Sequence, residues 1–419
     1  MNESKEIKIA IAGYGNVGKG TLKTIITNNK SIERRSGFKL IVKTVFSRNI
    51  KEKHDEYLDT VENKTEDLND ILNDNEIDII VEVLGGMTTA KELILKSTKP
   101  IVTANKALLA NSLEELIKDR KSDIEFEASV AGAIPIIRAM KESLTADNIE
   151  SISGILNGTC NYILTNMTKQ KIDFNVVLKE AQDKGYAEAD PTFDIDGIDT
   201  AHKICILASM AFCNIINMKD IYIRGIRNIL LDDIIFAMGL GYTVKLVADA
   251  SIDKDNNLYV YVIPSFIKDR NFLARTSYSF NAIKITSDIA GDNVFYGVGA
   301  GGINTSSAIV SDIISIAKNK AISNELFSPI LGFSNYNNDL VIKDFRDKEE
   351  DFYVRFKSLK NKIDSFVNAF NNTSINVDKT LNKDNNMMFI LRKTTINNIL
   401  NSIKTVEDIE NIFIAKIKH

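Results

Sequence analysis

Residues 7–26, Ile7-Lys8-Ile9-Ala10-Ile11-Ala12-Gly13-Tyr14-Gly15-Asn16-Val17-Gly18-Lys19-Gly20-Thr21-Leu22-Lys23-Thr24-Ile25-Ile26, decide the fold. The first six residues are a short apolar run that reads as a buried strand, and Val17 to Ile26 carry apolar residues at helical spacing. Between them stands Gly-x-Gly-x-x-Gly, the fingerprint of a dinucleotide-binding turn in the strand-to-helix context that it requires. Gly13 allows the tight turn, Gly15 lets the backbone approach a pyrophosphate, and Gly18 lets helix and strand pack closely. Asn16 and Val17 open the helix, whose N-terminus faces the phosphates. This half of the chain therefore reads as a Rossmann domain of the α/β class.

Outward from that turn, the strand Leu40 to Phe46 ends in Ser47-Arg48, where an acidic residue would otherwise meet the ribose hydroxyls. A hydroxyl followed by a guanidinium suits a 2′-phosphate, so NADP is the expected cofactor. NAD is the alternative if Arg48 is only a solvated charge at a strand end. Asp78 to Leu84 is a further buried strand and leads to Gly85-Gly86, where backbone can lie against a flat ring. Pro100 to Thr103 is another, ending in Thr103-Ala104-Asn105-Lys106. Ligands of open α/β sheets bind beyond the carboxyl ends of the strands, which places Thr103 and Lys106 where cofactor and substrate meet. Residues 124–134 form a strand and a glycine loop, and Pro135 begins a helix.

The composition excludes several classes. A chain of 419 residues fits two or three domains. Its formal charge of −4 and scattered lysines offer no basic field for nucleic acid. Three cysteines and three histidines, with no Cys-x-x-Cys, give zinc no ligand set. No long apolar run opens the sequence, so neither signal peptide nor membrane span is expected, and the cytoplasm is the default.

The densest stretch is Ala181 to Lys203, AQDKGYAEADPTFDIDGIDTAHK. Gly185 reads as a left-handed helix cap, Asp190-Pro191 and Asp196-Gly197 as turns, and Asp199 onward as a new helix. Asp199 and Lys203 stand at i and i+4 on one face, so a carboxylate and an ammonium project together. A surface ion pair under a solvated loop is the plain alternative.

This run resembles the signature of homoserine dehydrogenases at Ala181, Gly185, Tyr186, Asp190, Pro191, Asp194, Ile195, Gly197, Asp199 and Lys203. VTANKALLA around Lys106 and ILNGTCNYIL around Gly158 and Thr159 also resemble motifs of that family, and the similarity covers about residues 7–320. The resemblance implies reversible NAD(P)-dependent interconversion of L-homoserine and L-aspartate 4-semialdehyde, and places Lys106 in the active site. It implies that Gly158, Thr159 and Tyr186 line the substrate pocket. A substrate ammonium needs ionised carboxylates, which Glu188, Asp194 and Asp199 can supply, and the resemblance implies that Glu188 and Asp199 stand closest to it. It further implies a sodium ion held largely by main-chain carbonyls of Glu127, Val130, Gly132 and Ile134, where a plain turn is the alternative. A homodimer or homotetramer is expected.

Alcohol oxidation by a nicotinamide needs a base for the hydroxyl proton, and the reverse reaction needs an acid. Two lysines facing one pocket depress each other's pKa. Lys203 is accordingly expected to transfer the proton and Lys106 to polarise the same oxygen, although the sequence does not order the two. His202, one residue earlier, points about 100° away and reads as structural. Two rivals are weighed. An acylating semialdehyde dehydrogenase needs a nucleophilic cysteine with a nearby histidine, and neither Cys160 nor the helical Cys205 and Cys213 has a convincing histidine for that role. A silent NADP-binding sensor would not need Lys106, Glu188, Asp199 and Lys203 intact.

Beyond Ile149 the pattern changes. Residues 242–251, 257–265, 279–288 and 294–297 read as strands of a mixed or antiparallel sheet with a dimer surface. Gly297 to Gly302 is read as a hinge that returns the chain to the first domain, with a second nucleotide loop as the alternative. After a polar linker, residues 351–416 read βαββαβ, the ferredoxin-like order, and resemble an ACT domain. The effector loop of that module is replaced here by Leu359-Lys360-Asn361-Lys362, which makes threonine control doubtful. The expected architecture is α/β, with a Rossmann domain at 1–148 completed by 303–335, an α+β substrate and dimerisation domain at 149–302, and an ACT-like module at 350–419.

Overall fold

The computed structural model describes residues 4–322, 329–358, 363–404, 406 and 408–419. The 359–362 loop lies outside the described residues. The chain divides into two compact units. The first comprises residues 1–147, 206–217 and 295–338, and the second residues 148–205, 218–294 and 339–419.

In the first unit, β1 (Lys5–Ala12), β2 (Phe38–Phe46), β3 (Asn63–Thr65), β4 (Ile79–Glu82), β5 (Ile101–Thr103) and β6 (Ile124–Glu125) form one sheet. The order is β3-β2-β1-β4-β5-β6 and every pairing is parallel. Neighbours change direction at β1, so the crevice beyond its carboxyl end is the topological switch point that binds dinucleotides. Apolar runs such as Ile79-Ile80-Val81 are fully buried, as a sheet covered on both faces requires.

The first helix runs from Asn16 to Ser36, two to three turns beyond the expected end at Ile26. Its later residues are largely polar and face solvent, so periodicity fades there while the helix continues. It stops at Gly37 (φ 80°), whose N–H donates to Glu33 O. The helix Gly302–Ile322 packs on it backbone to backbone. A Cβ on Gly20 would lie 2.4 Å from Gly302 O, and one on Gly302 2.4 Å from Asn16 O. The second glycine loop thus serves a helix crossing within the first unit.

In the second unit the sheet has eleven strands. They are β7 (Ile149–Ile155), β8 (Tyr222–Ile223), β9 (Tyr242–Ile252), β10 (Asn257–Lys268), β11 (Phe280–Ser287), β12 (Gly291–Val298), β13 (Val341–Ile342), β14 (Glu350–Lys357), β15 (Asn376–Lys383), β16 (Asn386–Thr394) and β17 (Glu410–Lys418). The main path is β12-β11-β7-β9-β10-β17-β14-β16-β15, with β8 and β13 also on β10. The last four strands, β17-β14-β16-β15, have the antiparallel order of a ferredoxin-like sheet. They do not stand apart, because β17 pairs in parallel with β10 and continues the sheet. On β14, buried Arg355 donates to Asp233 Oδ1 at 2.8 Å and to Asn228 O at 2.6 Å, and Tyr353 donates its hydroxyl to the same carboxylate. A charge pair so far from water is tolerable only with this full set of partners.

Candidate active site

In the first unit the glycine turn has the geometry a dinucleotide needs. Gly13 adopts φ 116°, which L side chains rarely reach, and a Cβ there would sit 2.4 Å from Val83 O. A Cβ on Gly18 would sit 2.1 Å from Gly13 O, so helix and strand touch. Gly15 differs: a Cβ would meet no protein atom within 4 Å. Packing does not demand that glycine, whereas close approach of a pyrophosphate does. Asn16 and Val17 open the helix behind it.

At the end of β2, Ser47 is buried and Arg48 exposed. A second cation stands here that the sequence reading did not weigh. Lys53 donates to Ser47 Oγ at 2.9 Å and to Tyr14 O at 3.1 Å. It follows a short 3-10 turn, Ile50–Glu52, and no spacing rule marks it.

The opposite end of the cradle is organised by a buried acid. Glu82 closes β4 with no exposed surface and pairs in register with Thr103 on β5. Thr103 Oγ1 donates to Glu82 Oε2 at 2.5 Å, and Leu84 N donates to Oε1 at 2.8 Å. Asn105 N donates to Thr103 Oγ1 at 3.0 Å, and Asn105 Nδ2 to Gly86 O at 2.8 Å. Asn105 Oδ1 accepts from Leu108 N at 3.1 Å, capping the helix Lys106–Asp119 and setting Lys106 as its first residue. Gly85 and Gly86 are exposed beside this network.

In the second unit the signature residues come together around Lys203, which is 6% exposed. Its Nζ donates to Asp199 Oδ2 at 2.7 Å and to Leu156 O at 2.6 Å. The i,i+4 pair is therefore a buried one, not a surface ion pair. Asn157 completes the arrangement from the other side. Its Nδ2 donates to Asp199 Oδ2 at 2.8 Å and to Asp194 Oδ1 at 2.7 Å, while its Oδ1 accepts from Cys160 N and caps the helix Gly158–Gln170. Asn281, from β11, donates to the same Leu156 O at 3.1 Å, and its buried Oδ1 has no hydrogen-bond partner among the described residues. Burial raises the Asp194 carboxyl, and the Asn157 donor opposes that rise.

Gly158 begins the helix capped by Asn157, and a Cβ there would approach Ser279 O at 3.0 Å. Thr159 Oγ1 donates to Tyr186 O at 2.7 Å, and the Tyr186 ring stacks on Tyr162 with centroids 4.7 Å apart. The loop in front contains a helical turn, Thr192–Ile195, which Arg227 clamps through Asp196 at 2.7 Å. Glu188 is exposed, and among the described residues its carboxylate has no hydrogen-bond partner. His202 is buried with its ring edge to Phe193. Burial pushes the Cys160 thiol well up, and its Sγ donates to Asp194 O at 3.2 Å, which disqualifies it as a nucleophile.

At residues 127–134 the chain reverses through Ala131 (φ 54°) and Gly132 (φ 53°). The buried Glu127 carboxylate accepts from Ile137 N at 2.9 Å and Arg138 N at 2.8 Å, so its side chain is engaged at the helix start. Ile134 O already accepts from Ile136 N at 2.8 Å. Among the described residues no group of three or more His, Cys, Asp or Glu is disposed to hold a metal. No helix among them is long and apolar enough to cross a membrane.

Sequence models of known families match both halves. That for homoserine dehydrogenase covers residues 135–314, and that for the homoserine dehydrogenase NAD-binding domain covers residues 13–127. A homoserine dehydrogenase of Bacillus subtilis is 39% identical over 321 residues, 75% of this chain and 74% of its own. The chain belongs to the homoserine dehydrogenase family. A homoserine dehydrogenase of Helicobacter pylori is 43% identical over 334 residues, 78% of this chain and 76% of its own. The solved homoserine dehydrogenase of Thiobacillus denitrificans superposes with a TM-score of 0.91 at 32% identity, covering 99% of this chain and 98% of its own. A hyperthermophilic archaeal homoserine dehydrogenase, solved in complex with NADPH, matches at a TM-score of 0.62 and 26% identity over 75% of this chain and 98% of its own. The chain is thus an NAD(P)-dependent oxidoreductase that interconverts L-homoserine and L-aspartate 4-semialdehyde, on the route to threonine, methionine and isoleucine.

Proposed function

We propose that Lys203 carries the proton to and from the substrate oxygen and that Asp199 holds it for that task. The observation that carries this reading is the buried pair itself. Asp199 Oδ2 lies 2.7 Å from Nζ, with Leu156 O as a second fixed acceptor. The ion pair presents Lys203 as an ammonium, the form that protonates the alkoxide as the aldehyde is reduced. In the oxidation direction the same nitrogen takes the hydroxyl proton back. The bound nicotinamide supplies the hydride acceptor or donor. Lys106, fixed as the first residue of the helix that Asn105 caps, is the second amine of the reaction.

For the amino-acid end, Glu188 offers an exposed carboxylate and Asp194 a partly buried one, while Asp199 is committed to Lys203 and Asn157. Gly158, Thr159 and Tyr186 form the adjoining wall. Replacing Glu188 by Gln tests this assignment. KM for homoserine should rise at least about tenfold while kcat falls less than threefold. An unchanged KM would remove Glu188 from the substrate.

The cofactor preferred is NADP, with Ser47, Arg48 and Lys53 grouped around the position of a 2′-phosphate and Gly13, Gly15, Asn16, Val17, Gly18, Gly85 and Thr103 along the rest of the dinucleotide. Main-chain carbonyls of Glu127, Val130, Gly132 and Ile134 would hold a sodium ion. The engaged Glu127 side chain leaves neutral oxygens as the donor set, which suits a monovalent cation. The ion would tie the loop together and takes no part in proton transfer. The long second sheet is the surface for a homodimer or homotetramer, and the C-terminal module, ACT-like in strand order, assists that association. Cysteines kept as buried thiols, Cys160 and Cys205, suit the cytoplasm.

A further inference from the structure

Glu82 has no place in the chemistry described so far, yet it is the most deeply buried acid of the cofactor domain's ligand-facing edge. It interrupts an apolar strand, Ile79-Ile80-Val81-Glu82, at its carboxyl end, and none of its surface is exposed. A buried carboxylate normally has a cation beside it. Here its hydrogen-bond partners are neutral: the Thr103 hydroxyl and the Leu84 N–H. Burial accordingly raises the carboxyl to about 7, against the lowering effect of Thr103, Leu84 N and Asn105.

The position explains what such a costly group is for. β4 is the strand next to β1 across the switch point of the sheet. A dinucleotide that lies across this crevice has its adenosine on the β2 side and its nicotinamide over the ends of β4 and β5. The nicotinamide ring is cationic when oxidised and neutral when reduced. A negative charge held in a low-dielectric end of the sheet acts on the first and not on the second. We propose that Glu82 sets the protein's preference between the two oxidation states of its cofactor, with its ionised carboxylate favouring the oxidised, cationic ring. Thr103 and Leu84 N are the groups that fix the carboxylate in place, and Thr103 in turn aligns Asn105 and the loop at Gly86. The inference rests on the reading that the ring lies beside Gly85 and Thr103.

The test is direct binding without turnover. Dissociation constants for NADP⁺ and NADPH are measured by calorimetry at pH 8.5, above the raised value of the carboxyl, on the full chain and on Glu82→Gln, with no homoserine present. The amide keeps the size of the side chain and removes its charge. NADP⁺ should weaken at least about tenfold, since only the cationic ring loses the attraction of the carboxylate. NADPH should bind within about twofold of the parent value, which also reports an intact fold. Equal changes for the two forms, or no change for either, would overturn the proposal. Should the amide disrupt the strand end and abolish both affinities, Glu82→Met supplies an uncharged side chain of similar length, and the same ratio decides. Gly85→Val separates the underlying reading from the inference. If it leaves both affinities intact, the ring is elsewhere, whatever Glu82 does.

Discussion

Asn157 joins helix capping to catalysis, and its replacement gives a worked test of the site. Its Oδ1 caps the helix Gly158–Gln170 through Cys160 N at 2.8 Å. Its Nδ2 is shared between Asp199 at 2.8 Å and Asp194 at 2.7 Å. Asn157→Ala removes the cap, worth about 1 kcal/mol. It also removes hydrogen bonds to two carboxylates, each worth about 1.5–3 kcal/mol when fully buried. Asp199 is buried, whereas Asp194 has solvent access and counts for less. The expected loss of stability is about 3 kcal/mol, read as a lower urea midpoint. With the Asn157 donor gone from Asp199, Lys203 is aimed less firmly, and kcat/KM should fall by roughly 10- to 100-fold. Asn157→Asp separates the two roles, because it keeps the cap but sets a third carboxylate against Asp194 and Asp199. It should be less stable than the parent at pH 7 and recover on acidification, since like charges raise the folded-state carboxyl pKa. An Ala variant within about 0.5 kcal/mol of the parent, at full kcat/KM, would refute the reasoning.

Two further outcomes follow from other parts of the molecule. Arg48→Gln and Lys53→Gln should each raise KM for NADPH about tenfold and leave KM for NADH within about twofold, because only a 2′-phosphate distinguishes the two; steady-state kinetics with both cofactors checks this. Lys245 is buried on β9 with neutral acceptors, Asn161 Oδ1 at 2.8 Å and Thr276 O at 2.5 Å, and burial lowers its ammonium to about 7. Between about pH 7 and its unfolded value near 10.4 the unfolded chain binds the extra proton, so Lys245 makes stability rise with pH by up to about 1.4 kcal/mol per unit. Below pH 7 both states are protonated and the effect is constant. Lys245→Met should flatten that slope in urea titrations from pH 7 to 9.5.

How much of this was legible in the sequence depended on whether the information was local. The glycine turn was, because Gly13 and Gly18 answer contacts only a few residues away or on the next strand. So was the 181–203 run, whose i,i+4 pair needs no more than a helix. The six C-terminal elements were readable from alternation and spacing, including β16 and the helix Ile396–Ile403. The end of the first helix was not, since solvent-facing residues 27–36 carry no apolar stripe. Nor was the pairing of β17 with β10, because strands so far apart in the chain leave no mutual mark. Burial of the Lys203–Asp199 pair was likewise hidden, as it depends on Leu156 and Asn157 from another element. Lys53, beside Ser47 in the first unit, and Asn281, beside Leu156 in the second, come from segments with no motif of their own. Glu82 did carry a signal, a lone carboxylate within an apolar strand, and the cost of burying it was the reason to weigh it.

In the proposed reaction a buried amine moves the proton. Lys203→Met keeps the volume and removes the amine, and kcat is measured in both directions at saturating cofactor and substrate, with NADPH affinity as the check on folding. kcat should fall at least tenfold in each direction while NADPH binds as before. A variant that binds NADPH normally and retains more than a tenth of the parent kcat would contradict it.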